Sequence, residues 1–156
     1  MVIGDLIKRD LISCSPDTKV RDVAKLMKKY DIGGVVIVNE HNQPLGFVTD
    51  RDIVVRLISE DGSLDTKVED IMTRRCIRIK YYADCGEAMR TMGACQVRRI
   101  MVVDDEDKVL GVVSLRDLVL YNKTYPRVNI TLKNISRDST QKTKVQESLR
   151  VDDYRT

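Results

Sequence analysis

The stretch Gly46-Phe47-Val48-Thr49-Asp50-Arg51-Asp52 determines how this sequence is interpreted, because the chain contains it twice. The second copy, Gly111-Val112-Val113-Ser114-Leu115-Arg116-Asp117, lies 65 positions further along. Each copy follows a short apolar run and precedes a segment of helical periodicity, so each predicts a turn from a strand into a helix. In both copies a hydroxyl residue stands three positions before an Asp at the expected helix start.

These paired residues have the chemistry of a nucleotide site. The first N–H groups of a helix have no partner within the helix, which suits an anion such as phosphate. The hydroxyl of Thr49 or Ser114 can donate to a phosphate oxygen, and an Asp at position 52 or 117 can accept from vicinal sugar hydroxyls. The same residues are also good N-caps and first-turn acids, which need no ligand. Both interpretations stay open, although the duplication favours two ligand sites.

The first repeat predicts the order strand, helix, strand, strand, helix. The spacing of its apolar residues favours a strand-like stretch over Leu6–Ser15, followed by a helix with Val20, Val23, Ala24 and Met27 on one face. Continuous or alternating apolar residues then predict strands over Val35–Val38 and Leu45–Val48. The last element is a helix over Asp50–Ser59, which is expected to bury Ile53, Leu57 and Ile58. We expect Asp17 or Thr18 to cap the first helix. Gly33 and Gly34 are expected to supply the backbone freedom for the turn that follows it.

The same order begins again at Val68, in the same register. Met27 corresponds to Met92, Val38 to Val103 and Asp52 to Asp117. One unit of this size has a thin core, and two units packed sheet against sheet would bury both open faces about a pseudo-twofold axis. We therefore expect an α+β fold with repeats over residues 1–62 and 63–122 and a polar tail over 123–156. In the tail, Val128, Ile130 and Leu132 alternate with polar residues as in an edge strand.

Composition excludes several classes of partner. The net charge of +3 and the absence of Trp argue against nucleic-acid binding. No apolar run is long enough for a membrane span, and the first residues do not resemble a signal peptide, so we expect no membrane partner and a cytoplasmic location.

The four cysteines and the single His41 indicate neither a metal site nor a disulfide framework. Cys14, Cys76, Cys85 and Cys95 form no C-x-x-C pair. We expect buried, reduced thiols. Cys95 precedes Arg98 and Arg99, which could lower its pKa, so a thiol switch is a further alternative.

The repeated order and its motifs resemble the cystathionine-β-synthase (CBS) domain. The resemblance rests on Ser15-Pro16-Asp17 with 46–52 in the first repeat, and on Arg98-Arg99-Ile100-Met101-Val102-Val103-Asp104 with 111–117 in the second. It covers residues 1 to about 122 and implies a tandem pair that binds adenosine-containing ligands in clefts between the repeats. It also implies that two pairs assemble into a disc-shaped homodimer.

The resemblance assigns roles to individual residues. It implies that Asp52 and Asp117 hold ribose hydroxyls, with Thr49 and Ser114 near phosphate and Arg98 at a phosphate position. The backbone around Ser13-Cys14 and Arg78-Ile79 would lie near adenine. The complete set of candidate ligand-binding residues is Ser13, Cys14, Thr49, Asp50, Asp52, Arg78, Ile79, Arg98, Arg99, Ser114, Arg116 and Asp117. The repeats differ where Gly33 and Gly34 stand opposite Arg98 and Arg99, which predicts unequal sites.

Three functions remain open at this point. The preferred one is a regulatory sensor that needs no cofactor, is not an enzyme, and binds AMP, ADP or ATP as a regulatory ligand. An unidentified regulated protein is its further candidate partner. No nucleophile–base pair is visible that would indicate catalysis. The alternatives are a structural dimerisation module with vestigial sites, and the thiol switch.

Overall fold

The computed structural model describes residues 2–7 and 10–121 of the 156. The predicted tail over 123–156 lies outside these ranges. After a short 3₁₀ helix at Ile3–Leu6, the first repeat forms β1 (Ser13–Cys14), α1 (Val20–Tyr30), β2 (Gly34–Val38), β3 (Pro44–Thr49) and α2 (Asp50–Arg56). Two 3₁₀ helices, Ile58–Glu60 and Val68–Asp70, lead to β4 (Arg78–Lys80), α3 (Cys85–Cys95), β5 (Arg99–Val103), β6 (Val109–Ser114) and α4 (Leu115–Tyr121).

Each repeat contributes one three-stranded sheet, in the orders β1-β2-β3 and β4-β5-β6. The first strand of each sheet runs parallel to the middle strand, and the last two strands form an antiparallel hairpin. Thr49 is the register partner of Gly34, as Ser114 is of Arg99. The α+β class and the duplicated order of strands and helices are confirmed.

The two sheets pack face to face through a shared apolar core. Successive strand residues face opposite sides, so Val36 joins this central core while Val35 and Ile37 pack beneath the helices of their own repeat. Four pairs of central residues are related by the 65-residue shift: Leu11 and Cys76, Val36 and Met101, Val38 and Val103, Phe47 and Val112. The repeats are thus related by an approximate twofold axis through this core.

The start of each repeat crosses over to complete the core of the other, a contact that the apolar pattern does not predict. Ile3 donates its backbone N–H to Ala83 O at 2.8 Å and is fully buried with Met89 and Met92 in the second repeat. Val68 does the same in the first repeat, donating to Thr18 O at 2.8 Å. The boundary at residue 62 stays a prediction for the sequence repeats, and the packed cores extend across it.

Two equivalent glycines allow this crossing. A Cβ on Gly46 would lie 2.4 Å from Met72 Sδ, and one on Gly111 would lie 2.8 Å from Ile7 Cγ2. Ile7 and Met72 are themselves equivalent positions in the two repeats. The glycine that opens each repeated heptapeptide thus provides the space into which the partner repeat packs.

Several local predictions were wrong. Among the described residues of the strand-like stretch Leu6–Ser15, the strand is limited to Ser13–Cys14, because the crossing segment ahead of it begins with a 3₁₀ helix. The helix predicted over Asp50–Ser59 ends at Arg56, and Ile58 is 56% exposed rather than buried.

The boundaries of α1 also differ from the prediction. Its N-cap is Lys19, without a side-chain cap, because the Asp17 carboxylate accepts from Ser15 Oγ instead. The left-handed residue after the helix is Asp31, with φ of 51°, and no described glycine has a positive φ. Position 34 requires a glycine for a different reason, because a Cβ there would lie 2.5 Å from the Phe47 ring.

Candidate functional site

The first repeated turn closes as a reciprocal capping box. Thr49 Oγ1 accepts from the backbone N–H of Asp52 at 3.2 Å, and Asp52 Oδ2 accepts from the N–H of Thr49 at 2.9 Å. This arrangement satisfies two N–H groups at the start of α2. The other oxygen, Asp52 Oδ1, lies 3.6 Å from Nη2 of Arg56, whose Nη1 donates to Ile71 O. Asp52 is therefore engaged on both oxygens, and 16% of its side chain is exposed.

The second turn has the same box with a freer carboxylate. Ser114 Oγ accepts from the N–H of Asp117 at 3.2 Å and donates to Asp117 Oδ2 at 2.6 Å, and that oxygen also accepts from the N–H of Ser114. Position 121, which corresponds to Arg56, is Tyr. Among the described residues Oδ1 of Asp117 has no hydrogen bond, and the residue is exposed. The carboxylate of Asp117 can thus accept further hydrogen bonds more readily than that of Asp52.

The two predicted arginines, Arg98 and Arg99, lie beside different repeats. Arg98 accepts, through its carbonyl, the N–H of Leu115 at 2.8 Å, so its backbone adjoins the second turn. Nη2 of Arg99, in contrast, lies 3.5 Å from the position that a Cβ on Gly33 would occupy, and Oδ2 of Asp50 lies 3.5 Å from the same position. The first repeat has no arginine of its own at positions 33 and 34, but the guanidinium of Arg99 reaches it from the second repeat.

The remaining candidates are arranged at the outer strands and on the helices. Ser13-Cys14 and Arg78-Ile79 form equivalent positions on β1 and β4, each beside the middle strand of its sheet. The guanidinium of Arg78 pairs with Asp107 at 3.0 Å, so this side chain is directed to the β5–β6 turn. Arg116 is exposed on α4.

Two surface depressions lie on the second repeat. One of about 610 Å³ is lined by Arg78, Ile79, Lys80, Tyr82, Ala83, Asp84, Glu87 and Thr91, and another of about 390 Å³ lies over the acidic turn at 104–106. Neither includes Thr49, Asp52, Ser114 or Asp117. The first contains the predicted Arg78–Ile79 pair, which places two of the candidates in a concave surface.

Three of the four cysteines lie in environments that make their thiols unreactive. Burial raises the pKa of the Cys14, Cys76 and Cys85 thiols above the ordinary value. Cys95 is half-buried at the end of α3.

Within residues 2–7 and 10–121 no group of three His, Cys, Asp or Glu side chains is placed to hold a metal ion. In the same part of the chain, every helix is too short or too polar to cross a membrane.

Two features of the site were missed from sequence. The i, i+4 spacing of Asp52 and Arg56 is a visible helical ion-pair signal that distinguishes the two repeats. The approach of Arg99 to Gly33 carries no such signal, because the two residues are far apart in sequence and come together only through packing of the repeats.

The comparisons with known proteins agree with this architecture. The chain is 34% identical over 118 residues to an uncharacterised protein of Methanopyrus kandleri, covering 75% of this chain and 60% of the relative. It is 32% identical over 123 residues to the inosine-5′-monophosphate dehydrogenase of Methanocaldococcus jannaschii, covering 79% of this chain but only 24% of that enzyme. The chain thus spans less than two thirds of both relatives.

Solved structures share the fold. A CBS domain protein from Pyrobaculum aerophilum complexed with AMP superposes with a TM-score of 0.72 at 24% identity, covering 85% of this chain and 98% of the other. The CBS domain pair of protein MJ0100, in complex with 5′-methylthioadenosine and S-adenosyl-L-methionine, gives a TM-score of 0.70 at 24% identity, covering 78% and 94%. The CBS domain matches residues 3–59 and 68–123, so this chain belongs to the CBS domain family.

Proposed function

We propose that this protein is a regulatory module, not an enzyme, that binds adenosine-containing ligands at two sites and acts as an energy or metabolite sensor in the cytoplasm. Each site would be built on one capping-box turn. Asp52 and Asp117 would accept from ribose hydroxyls, Thr49 and Ser114 would lie near phosphate, and the strands with Ser13-Cys14 and Arg78-Ile79 would border adenine. AMP, ADP and ATP are the expected ligands.

The observation that carries the proposal is the duplication of one chemical arrangement at equivalent ends of two packed sheets. A helix cap needs only one oxygen of the Asp, yet Asp117 is exposed and its Oδ1 is without a hydrogen bond among the described residues. Structures of this fold have been solved with AMP and with S-adenosyl-L-methionine. Both ligands contain adenosine, which supports a nucleoside as the common element.

A thermal-shift screen tests the proposal directly. A ligand that binds only the folded state raises Tm, so at least one of AMP, ADP, ATP, NAD and S-adenosylmethionine should do so in a concentration-dependent way. If none does at millimolar concentration and calorimetry shows no heat, the structural dimerisation module is the better interpretation. In that case the capping boxes serve only the helices.

Arg98 is the proposed phosphate-binding residue of the second site. We expect Arg98→Ala to reduce the affinity for AMP by about tenfold, because a charge-assisted hydrogen bond contributes about 1.5–3 kcal/mol. Affinity for adenosine, which has no phosphate, should change little. Calorimetric titration of both proteins with both ligands measures the difference, and an unchanged preference for AMP over adenosine would remove Arg98 from the site.

A further inference from the structure

In the first repeat, the segment that follows α2 covers the start of α1. The chain turns back after α2, and Leu64 O accepts from the backbone N–H of Arg21 at 3.1 Å. The next residue, Asp65, pairs with Lys19 at 3.4 Å and with Arg21 at 3.0 Å. Since α1 has no side-chain cap, this segment supplies an acceptor that the helix start lacks.

The second repeat has an equivalent helix start without that acceptor among the described residues. Gly86 of α3 corresponds to Arg21 at the 65-residue spacing and is buried. Within residues 2–7 and 10–121 no group accepts a hydrogen bond from its N–H. Buried backbone donors in native proteins are nearly always paired, so we expect an acceptor from elsewhere.

An exposed surface with an apolar and an acidic part surrounds this donor. Tyr82 is 55% exposed, and Tyr81 packs edge-on against its ring. Tyr82 and Glu87 both line the depression of about 610 Å³. The cations in that lining are already bonded to the β5–β6 turn, Arg78 to Asp107 and Lys80 to a backbone carbonyl. The carboxylate of Glu87 has no ion pair in the described part of the chain.

The residues that follow α4 have the composition to cover this surface. Residues 122–133 contain no acid and three cations, Lys123, Arg127 and Lys133. Their apolar residues alternate with polar ones from Val128 to Leu132. In the first repeat a basic helix start meets the acidic Asp65, whereas the start of α3 carries Asp84 and Glu87. Both partners have therefore changed sign together, which preserves the attraction.

The end of α4 lies within reach of this surface. α4 packs against the 3₁₀ helix Ile3–Leu6, and Ile3 donates to Ala83 O at 2.8 Å in the lining of the same depression. The first repeat covers the equivalent distance in eight residues, and 35 residues follow Tyr121. The bend must differ in detail, because Pro126 stands opposite Asp61, whose φ of 53° a proline cannot adopt.

We propose that residues 122–133 dock on the start of α3 of the same chain. One of their carbonyl groups accepts from the Gly86 N–H, Arg127 pairs with Glu87, and the alternating apolar residues pack on Tyr82. The segment then completes the second repeat as the segment after α2 completes the first. This contact does not depend on nucleotide binding.

Amide hydrogen exchange of the full-length chain, followed by NMR, tests the docking at Gly86. In the wild-type protein this amide should exchange at least about tenfold more slowly than an unprotected amide, as a hydrogen bond supported by an ion pair predicts. Arg127→Glu and Glu87→Arg each bring like charges together and should reduce the protection to about threefold or less. The combined variant restores the pair with reversed charges and should recover the protection.

Matched controls and a contact measurement assign the effect to this segment. Lys142→Glu makes the same change of charge outside residues 122–133 and should leave the Gly86 amide unchanged. Asp22→Arg, at the position of α1 that corresponds to Glu87, should leave it unchanged as well. Nuclear Overhauser effects between the Tyr82 ring and methyl groups of residues 128–132 should be present in the wild-type protein and lost in Arg127→Glu.

Four results would overturn the proposal. The first is an unprotected Gly86 amide in the wild-type protein, and the second is protection that Arg127→Glu and Glu87→Arg leave unchanged. The third is an equal loss in Lys142→Glu, because net charge rather than this segment would then hold the contact. The fourth is a Tyr82 contact seen only between differently labelled chains, because a second copy would then cover the surface.

Discussion

Asp52 and Asp117 show how one motif acquires two energetic roles. Asp52 is held on both oxygens, by the Thr49 backbone and by Arg56, and little of its side chain is exposed. Asp117 uses a single oxygen for Ser114 and faces solvent. The sequence shows the duplicated motif, and it also shows that Arg56 of the first repeat has no cationic residue at the equivalent position of the second. Only the structure shows that this difference changes the availability of the carboxylate.

We therefore predict that Asp117→Ala mainly weakens nucleotide binding, whereas Asp52→Ala causes the larger loss of folding stability. Asp117→Ala should weaken nucleotide binding by about 1.5–3 kcal/mol while costing the fold about 0.3–1 kcal/mol, the range for a first-turn acid. Asp52→Ala should cost the fold more, about 1–2 kcal/mol, because it removes a capping-box partner and leaves Arg56 without its ion pair. Urea denaturation and calorimetry measure the two quantities, and equal losses of stability would contradict the difference.

At the scale of elements, the glycines that open the repeated heptapeptide lie within β3 and β6 and are packing residues. The sequence repeat identifies Gly46 and Gly111 as equivalent, but their neighbours Met72 and Ile7 come from the opposite repeat. The sequence alone does not show whether a glycine is needed for its backbone angles or for the close approach of a neighbouring segment. No described glycine here has a positive φ, so close approach is the reason at these two positions.

Gly46→Ala should accordingly destabilise the protein by about 1–3 kcal/mol, the usual cost of overpacking a core. The added methyl group collides with Met72, which is buried. Combining the substitution with Met72→Ala should cost less than the sum of the two single changes, because the smaller side chain leaves room for the methyl group. Chemical denaturation of the four proteins gives the coupling, and strict additivity would show that the two residues do not compete for space.

At the scale of the whole molecule, the two repeats form one folding unit. Ile3 belongs to the core of the second repeat and Val68 to that of the first, and a third core joins the sheets. Neither repeat can complete its core from its own consecutive residues. The two repeats should therefore unfold in a single cooperative transition.

Ile3→Ala tests this unity. Ile3 is fully buried, so its truncation should destabilise by about 2–5 kcal/mol. The urea transition should stay single and shift as a whole, when followed by circular dichroism and by amide NMR signals of both repeats. Ile58→Ala, at a side chain 56% exposed, is the control and should shift it little. Separate transitions for the two repeats would contradict the interleaved core.

The predicted homodimer belongs to the same scale. Val55 on α2 is 47% exposed and its equivalent on α4, Leu120, is 64% exposed, whereas the exposed face of α1 is mainly charged. We expect α2 and α4 to form the contact, and Val55→Lys with Leu120→Lys to convert a dimer into a monomer in light scattering at micromolar concentration. Lys28→Ala on α1 should leave the mass unchanged. A monomeric wild-type protein would rule out the dimer.

The sequence alone determined the duplicated order of elements, the positions of the hairpin strands β2 and β3 and the two strand-to-helix turns, because these depend on local periodicity and on a repeat of constant spacing. The tertiary structure alone decided which repeat each N-terminal segment completes, and that Arg99 of the second repeat lies beside Gly33 of the first. Those contacts join residues distant in the chain, and their geometry depends on how two sheets pack together. The pattern of apolar residues specifies that a face is buried, but the packed structure determines what covers it.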